Sequence, residues 1–392
     1  MRRRSSDVWD KHTAMHFLSG IWNYGIVFLI VLTVVVFVHE FGHYWVARRN
    51  GVRIDVFSVG FGPELFGWTD KVGTRWRISA VPLGGYVKMF GDADASSSTS
   101  DTVEMTPEEK AVAFPHKRVG QRAAIVFAGP AANFIFAIVV MAGMFMIYGQ
   151  QVGEPVIGAV QPDSAAAEAG FKPGDKVLTV NGETVDRFQD LQRLVRLFGA
   201  RPLHVGVERE GASLDIAVTP RIIDRPGMTG GIEHVPVLGV TGDPAKFKIV
   251  TYGPVGALGA ALTETKDMVS TTLVGIGQMI VGTRGTDELG GPIRIAQGAG
   301  EAAKAGIVGL ISFIVLLSMN LGLINLFPVP VLDGGHLVFY AIEAVLGRPL
   351  GERAQEYGFR VGMFLVLALM VFATRNDIVS LPIWQTIKHL FF

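Results

Sequence analysis

Residues 24–47, YGIVFLIVLTVVVFVHEFGHYWVA, decide how this chain folds, because they are apolar enough and long enough to cross a lipid bilayer. Three ionisable residues, His39, Glu40 and His43, lie in the second half of the stretch and spell H-E-x-x-H. One ionisable side chain inside an apolar span costs roughly 2.5–3.5 kcal/mol on insertion scales. Three together indicate a functional site, with polar contacts between helices as the alternative.

The spacing of the motif suits a metal ion. Residues four apart on a helix lie on one face, about one turn apart, so His39 and His43 can reach the same ion. Glu40 is close to that face, where a carboxylate can take a proton from water, the general-base role of this motif in zinc proteases. The motif therefore predicts a catalytic zinc site inside a membrane span.

The composition favours a membrane protein and narrows the chemistry. Of the 392 residues, 49% are hydrophobic and 18% charged, and the mean hydropathy is +0.38. The chain has no cysteine, which excludes disulfides, thiolate metal ligands and a cysteine nucleophile. Any zinc must be bound by histidine and carboxylate. The net charge is zero, so no basic field indicates a nucleic-acid partner.

Residues 1–20 carry several basic residues ahead of the apolar run, as a signal peptide does. The run is too long for such a peptide, and cleavage would detach the motif. Met15 is an alternative start. Residues 48–121 follow as a cytoplasmic or re-entrant β-rich loop, with short strands expected at 56–62, 75–80 and 86–90 and a polar, flexible part at 92–109. Its free edge, expected near Ser79 to Met89, can pair with an extended peptide, unless the segment is an ordinary cytoplasmic loop.

Three more apolar runs predict three further spans, at 122–149, 304–328 and, shorter, 357–374. The second contains Gly129, Pro130 and Asn133, which are tolerated at membrane depth where other helices cover them. Residues 223–303 are expected to form a linker with amphipathic helices. Within it we expect an extended linker at 226–243 and an amphipathic or interfacial helix pair at 256–279. The remaining segments are a loop at 329–356 and an interfacial tail at 375–392.

Residues 150–222 have the texture of a soluble α+β domain. A short capped helix is expected at 162–170, and turn residues flank a strand at 176–180. The run GFKPGDKVLTVNG at 170–182 resembles a PDZ domain, which binds peptide C-termini or extended segments by adding a strand to its edge. A structural spacer is the alternative.

Loop charge predicts the orientation. Residues 48–122 carry eleven basic side chains, which favours a cytoplasmic location although Arg2 to Arg4 favour the opposite. With four spans, the PDZ domain and both termini are then outside the cytoplasm. The basic residues are Arg48, Arg49, Arg53, Lys71, Arg75, Arg77, Lys88, Lys110, Lys117, Arg118 and Arg122.

The third span ends in a distinctive run, Asn325-x-x-Pro328-x-Pro330-x-Leu332-Asp333-Gly334. Asp333 can supply the third zinc ligand, but it also suits a turn, and His336 is a competing ligand. Asn325 can donate to and accept from a substrate backbone, and Pro328 and Pro330 force the chain out of helix beside it. We expect these three residues to bind an unwound substrate, with a helix-capping role for Asn325 as the alternative.

The chain resembles the site-2 protease family, in particular the bacterial regulator-of-sigma-E proteases in a single-PDZ form. Four separate elements carry the resemblance: the motif in the first span, Gly129-Pro130-x-x-Asn133 in the second, the PDZ-like run and the Asp333 motif. The resemblance covers nearly the whole chain from about residue 15. It implies an intramembrane zinc metalloprotease with His39, His43 and Asp333 as ligands and Glu40 as the catalytic residue. The enterobacterial form has two PDZ domains in tandem, whereas this chain has room for one.

The sequence thus predicts an α-helical polytopic membrane protein with about four transmembrane helices, a small membrane-associated β-sheet and an inserted PDZ domain. We expect it in the bacterial inner membrane, with a periplasmic PDZ domain and an active site near the cytoplasmic side. The expected partners are Zn²⁺, the lipid bilayer and single-span substrates, namely anti-sigma factors or remnant signal peptides. The alternatives are a catalytically silent PDZ adaptor, which would tolerate loss of Glu40, and a metal transporter, which would show polar residues along several spans.

Overall fold

The computed structural model describes residues 7–92, 105–226, 232–282, 285–286 and 289–380. The chain forms two compact units. The first comprises Met1–Ile138 and Ile295–Thr374, and the second comprises Val139–Arg294 and Arg375–Phe392.

Helices dominate both units. In chain order they are α1 (Asp7–Arg49), α2 (Pro107–Val112), α3 (Val119–Ile147), α4 (Ala165–Ala169), α5 (Phe188–Phe198), α6 (Pro254–Val281), α7 (Pro292–Lys304), α8 (Ile307–Asn325), α9 (Asp333–Leu346) and α10 (Glu352–Ser380). Among the described residues, four helical segments are long and apolar enough to cross a membrane, which is the number that the sequence predicts. They are Tyr24–Arg49, Val119–Ile147, Ile307–Asn325 and Arg353–Val379.

The strands form several small sheets. They are β1 (Ile54–Thr69), β2 (Arg75–Met89), β3 (Gln150–Gly153), β4 (Ile157–Val160), β5 (Lys176–Val180), β6 (Glu183–Thr184), β7 (Leu203–Arg209), β8 (Ala212–Val218), β9 (Arg221–Pro226), β10 (Ile232–Val237), β11 (Val240–Gly242) and β12 (Phe247–Val250). The largest sheet has the strand order β6-β5-β7-β8, and the other strands pair as β1-β2, β9-β10, β4-β11 and β3-β12.

The predicted short strands after the first span are parts of one long, bent hairpin. Residues 56–59 of β1 pair on one side with residues 85–88 of β2 and on the other side with residues 75–78 of β2. The second half of β1, residues 64–69, pairs with the other side of residues 75–79. Ser58 and Ser79 are buried in the middle, where their hydroxyl groups lie 3.0 Å apart. The segment around 85–88 forms one border of this sheet, whereas Ser79, which the sequence predicted at the free edge, is internal.

Small residues bring the membrane helices of the first unit together. A Cβ atom on Gly42 of α1 would lie 2.3 Å from the carbonyl oxygen of Ala128 in α3, and one on Gly322 of α8 would lie 3.0 Å from that of Pro130. Close backbone approach through small residues is the usual way in which membrane helices pack. The three helices α1, α3 and α8 therefore form a tight bundle around the motif.

The second unit contains an α/β domain built around the four-stranded sheet. Helix α4 begins at Ser164, whose hydroxyl accepts from the Ala167 N–H, and ends at Gly170 with φ +83°, as the sequence predicts. The strand predicted at 176–180 is β5, and Asn181 and Gly182 form its turn with positive φ angles. Leu191 and Leu194 of α5 are buried against the sheet.

Two predictions for the segment after this domain are wrong. The expected extended linker at 226–243 includes β10 and β11, and β11 pairs with β4, so these residues complete the α/β domain. The expected helix pair at 256–279 is one continuous helix, α6. The rest of the linker (227–231), most of the predicted flexible segment (93–104), the first six residues and the tail from 381 lie outside the described residues.

Candidate metal centre

Three side-chain atoms converge on one point in the first unit. His39 Nε2 lies 3.2 Å from His43 Nε2 and 3.1 Å from Asp333 Oδ2, and His43 Nε2 lies 3.5 Å from the same oxygen. Four ligands at zinc bond lengths of ~2.0–2.1 Å in a tetrahedron lie ~3.3 Å from each other. The three atoms thus already have the spacing of three corners, and the fourth corner is open for water or substrate. The residues present fit zinc.

The two histidines sit where α1 packs against α3. They are buried, with rings 4.8 Å apart at 85° to each other, as expected for positions four apart on one helix face. Gly129 of α3 makes room for them, because a Cβ there would lie 2.3 Å from His43 Nε2. The helix breaker in the second span thus gives the metal ligand its space.

Each histidine is held by its other ring nitrogen. His43 Nδ1 lies 2.9 Å from the carbonyl oxygen of Ile125 and can only donate to it, which leaves Nε2 free for a metal. His39 Nδ1 lies 3.1 Å from the Asn133 side-chain amide. When His39 binds a metal through Nε2, its Nδ1 carries the proton, so the amide must present Oδ1 to it. In the described arrangement Asn133 Oδ1 is buried without a hydrogen-bond partner, so rotation of this amide satisfies both groups.

Asp333 is brought to the histidines by a tight turn after the third span. Helix α8 ends at Asn325, the chain then leaves helix, and α9 begins at Asp333. A Cβ on Gly334 would lie 2.3 Å from the carbonyl oxygen of Phe327, and one on Gly335 would lie 2.4 Å from that of Val329, so only glycine fits at either position. Asp333 Oδ2 is buried and accepts no hydrogen bond, which is the state expected of a metal ligand.

His336, the competing ligand, belongs to a different environment. Among the described residues, the group that could bind a metal contains His39, His43 and Asp333 only. The ring of His336 packs against the rings of Phe359 (5.2 Å) and Phe339 (6.5 Å). Its place in the structure is an aromatic cluster between α9 and α10.

Glu40 lies between the metal ligands and the hairpin. A Cβ on Gly85 would lie 3.2 Å from Glu40 Cγ, so this glycine lets the hairpin approach the glutamate. The backbone of Val87 also lies near the Glu40 carboxylate. The border segment of the sheet thus runs beside the residue that the motif assigns as general base. Aromatic contacts attach the hairpin to α1, with the Phe57 ring 5.6 Å from Phe37 and 5.7 Å from Tyr44.

The three expected substrate-binding residues follow α8. Asn325 is its last residue, and its side-chain Nδ2 donates to the carbonyl oxygen of Leu321, 3.0 Å away. This is the bond that a capping residue makes. Pro328 and Pro330 lie in the non-helical turn that leads to Asp333, and the backbone of Pro330 lies against Gly362 of α10. Substrate binding by these residues stays a prediction.

Sequence reasoning missed the positioning role of Asn133, which it described only as a residue that other helices must cover. The signal was present: an amide four residues after Gly129 falls on the same face of α3 as the glycine that admits His43. Ser318 of α8 donates to the Asn133 backbone carbonyl, 3.1 Å away, and so fixes that turn of α3.

A second concave site lies in the α/β domain of the second unit. It is a cleft of about 430 Å³ between α5 and the segment from Val235 to Gly242. The lining includes several glutamines and two arginines, Arg196 and Arg225, but no acidic residue. This lining favours a negatively charged group over a positively charged one.

Comparison with known proteins gives a consistent result. Residues 27–369 match the model of peptidase family M50. A protein of Agrobacterium fabrum is 47% identical over 372 residues, which cover 94% of this chain and 98% of that protein. One of Rhizobium meliloti is 48% identical over 357 residues (90% and 95%), and the metalloprotease MmpA of Caulobacter vibrioides is 40% identical over 388 residues (93% and 97%). The names of the first two contain the words zinc metalloprotease.

Proposed function

Because the chain belongs to peptidase family M50 and is a zinc metalloprotease, we propose that it hydrolyses peptide bonds within the membrane spans of other proteins. The observation that carries the proposal is the position of the ligands. His39 and His43 lie in the apolar segment Tyr24–Arg49, and Asp333 reaches them from the turn that follows another apolar helix, Ile307–Asn325. A substrate bond has to enter this apolar bundle to reach them.

When bound, zinc supplies a Lewis acid that polarises the substrate carbonyl and lowers the pKa of water. The chain's own residues provide the rest. Glu40 takes the proton from the attacking water and passes it to the leaving nitrogen, which makes it the general base and then the general acid. The Val87 backbone of the hairpin lies near this carboxylate.

A substrate helix must unwind before its peptide bond can reach this site, since helical carbonyls are already hydrogen-bonded. The hairpin border at 85–88 offers backbone groups for pairing with an extended substrate strand, directly beside Glu40. Asn325 lies at the end of α8, and its bond to Leu321 uses one N–H of the amide. Its second N–H and its oxygen can hold a substrate backbone while Pro328 and Pro330 keep the adjacent chain out of helix.

For the topology, we propose four spans in the bacterial inner membrane, with the hairpin and the active site towards the cytoplasm. Four apolar helices and the eleven basic residues of the loop at 48–122 support this orientation. The α/β domain after the second span is then periplasmic.

We also propose that the α/β domain is a PDZ domain that binds peptide C-termini or extended segments in its cleft. Support comes from the sheet order, from α4 and α5, and from the cleft beside α5, where Arg196 and Arg225 can attract a carboxylate. The proposed substrates are single-span proteins, such as an anti-sigma factor already cut outside the membrane or a remnant signal peptide.

The test is cleavage in proteoliposomes. Purified chain with zinc is reconstituted with a single-span substrate, and the product termini are located by mass spectrometry. We expect new termini within the span for the wild type and a trapped, uncut substrate for Glu40→Gln. Cleavage confined to soluble segments would refute intramembrane proteolysis. Equal function of wild type and Glu40→Gln in cells would favour the alternative of a catalytically silent PDZ adaptor.

A further inference from the structure

Helix α9 carries the third metal ligand at one end and a shielded ion pair at the other. Asp333 is its first residue, and Glu343 lies in its last turn, which ends at Leu346. At a rise of ~1.5 Å per residue, Glu343 is ~15 Å further along the helix than Asp333. The position of the ligand therefore depends on how the whole of α9 is held.

The partner of Glu343 is Arg122 of α3. Arg122 Nη2 donates to Glu343 Oε1 at 2.5 Å, and its Nε donates to the carbonyl oxygen of Lys117 at 3.1 Å. The guanidinium also lies over the Tyr340 ring, 4.9 Å from its centre. The side chains of the pair are only 14% and 15% exposed, so water and salt screen it less than a surface ion pair.

Both charges stand where the dipole of their own helix disfavours them. Arg122 is the fourth residue of α3, at the positive end of that helix, and Glu343 lies at the negative end of α9. Neither side chain therefore stabilises the helix to which it belongs. What the two residues provide is the contact between the helices.

Helix α3 also holds the two histidine ligands. The Ile125 carbonyl and the Asn133 amide contact the outer ring nitrogens of His43 and His39. At ~100° per residue, Arg122 falls on the same stripe of α3 as these two residues, within an arc of about 80°. One stripe thus reaches both histidines and, through Arg122, the helix that begins with the third ligand.

The other contacts of α9 do not fix its tilt. Leu337 and Tyr340 pack against a buried apolar cluster that includes Ile125, and apolar contacts are non-directional. Tilting α9 by ~10° about Leu337, which is ~6 Å along the helix from Asp333, would move the ligand by ~1 Å. A functional site needs its groups held within about 0.5 Å. The charged hydrogen bond at the far end of α9 opposes this tilt because its distance and direction are both constrained.

We propose that Arg122 and Glu343 are positioning residues of the metal centre, an inference that rests on Asp333 as a zinc ligand. The turn before α9 brings Asp333 to the histidines, and the ion pair sets the tilt at which its carboxylate reaches the same ion. Without the pair, α9 keeps its apolar contacts, but the carboxylate moves relative to the two histidine nitrogens. The zinc affinity of the folded protein then depends on an ion pair at the opposite end of the helix.

The first test is the zinc affinity of the full chain in detergent, measured by competition with a chelator. Arg122→Gln and Glu343→Gln each remove one charge, and each should weaken zinc binding by about 10-fold, the lower end of the range for residues that support a metal ligand. The double variant Arg122→Glu/Glu343→Arg reverses the pair and should recover most of the affinity. Glu356→Gln, which removes an exposed ion pair with Arg360, is the matched control and should bind zinc as wild type does.

A cobalt(II) form gives a readout that stability alone does not change. The visible absorption of Co²⁺ reports its coordination geometry. At saturating Co²⁺, each single variant should lose absorption intensity as the third ligand withdraws, and the reversed pair should restore it. Melting temperatures of the metal-free proteins are measured alongside. If loss of a charge prevents folding, Glu343→Asp keeps both charges with a carboxylate shorter by one methylene, and should weaken zinc binding a few-fold.

Three results would overturn the proposal. Lower melting temperatures with wild-type zinc affinity and cobalt spectrum would show that the pair stabilises the fold and positions nothing. A folded double variant that binds zinc no better than the single variants would show that the pairing itself is not responsible. Wild-type zinc affinity in Asp333→Ala would remove Asp333 from the ligands and the proposal with it. None of these measurements requires substrate, so a failure of the proposed intramembrane cleavage is recognised separately.

Discussion

Gly129 and His43 lie so close that a Cβ atom on the glycine would stand 2.3 Å from His43 Nε2. Real Cβ atoms do not approach a nitrogen this closely, and the histidine ring can move aside only by giving up the hydrogen bond from its Nδ1 to the Ile125 carbonyl. A single methyl group on α3 therefore competes directly with a metal ligand on α1.

Gly129→Ala is expected to lose zinc. The added methyl must turn the His43 ring away from the other two ligands, and two ligands hold zinc far more weakly than three. Zinc per chain, measured by mass spectrometry, should fall from about one to near zero. Gly143→Ala, on the same helix with nothing within 4 Å of its Cβ, is the control and should keep its zinc. Full zinc content in Gly129→Ala would contradict the geometry.

Asn133→Ala is expected to weaken zinc binding by about 10–100-fold, since partners of a ligating histidine usually contribute that much. The measurement is competition with a chelator of known affinity. Asn133→Asp, which keeps an oxygen acceptor for His39 Nδ1, should recover most of the affinity. Ser318→Ala removes the hydrogen bond to the Asn133 backbone but keeps the amide side chain, so it should weaken zinc binding less than Asn133→Ala. The same loss in Asn133→Asp and Asn133→Ala would refute the acceptor role.

Glu40→Gln is expected to keep its zinc and to lose cleavage. Glutamine is nearly isosteric but cannot take a proton from water, so turnover should fall by at least about 100-fold. Zinc content and cleavage of a model single-span substrate are measured together. Glu154→Gln makes the same change at an exposed carboxylate and should behave as wild type. Unchanged cleavage in Glu40→Gln would move the general base to another residue.

Asn325→Ala separates a substrate clamp from a helix cap. The clamp predicts normal melting temperature and zinc content with lost turnover, whereas loss of the bond to Leu321 alone predicts lower stability, by about 1 kcal/mol, with turnover per folded molecule preserved. A substrate with Gly or Pro near the scissile bond is already unwound, so it should restore turnover only if the clamp is correct. Preserved turnover on an ordinary helical substrate would rule the clamp out.

Asp175→Asn is expected to destabilise the α/β domain in a pH-dependent way. Asp175 is fully buried and accepts two hydrogen bonds of 2.7 Å from Arg209. Burial raises its pKa, but the Arg209 guanidinium and the Lys172 N–H outweigh burial and hold the pKa of Asp175 below its usual value. This stabilisation is present above the unfolded pKa of ~3.9 and is lost as the pH falls through the lower folded pKa.

The variant should therefore lose about 3 kcal/mol at neutral pH, and the difference from wild type should shrink below about pH 4. The difference in stability between variant and wild type is measured by hydrogen exchange of peptides that cover β5 and β7, at pH 7 and at pH 3. Asp215→Asn removes an exposed carboxylate from β8 and should leave exchange unchanged. A difference that stays the same at both pH values would show that packing, and not charge, is responsible.

The sequence was most informative where the determining interactions are local. His39 and His43 share a helix face because of a spacing of four, and the ends of α8 and α4 follow from Pro328 and from Ser164 and Gly170. The third ligand could not be chosen from spacing alone, because Asp333 and His336 lie only three residues apart and both can bind zinc. Only the fold shows that His336 packs among aromatic rings.

Non-local pairing accounts for the parts that the sequence did not predict. Residues 226–243 looked extended because β11 becomes a strand only through β4, which lies some eighty residues earlier. The hairpin of β1 and β2 folds back on itself through several shifts in strand register. The alternation of polar and apolar residues in the sequence does not predict these shifts. Where a helix pair was expected, α6 is continuous. Its glycines each cost only ~1 kcal/mol in a helix, which contacts with α5 offset.

The distribution of the three ligands along the chain has a consequence for biosynthesis. His39 and His43 belong to α1, whereas Asp333 is the first residue of α9, close to the end of the part of the chain that the structure describes. A nascent chain therefore carries its general base and two ligands long before it can complete a metal site. The proposed metal site is therefore incomplete until translation has nearly finished, and a chain truncated before residue 333 lacks the third predicted ligand.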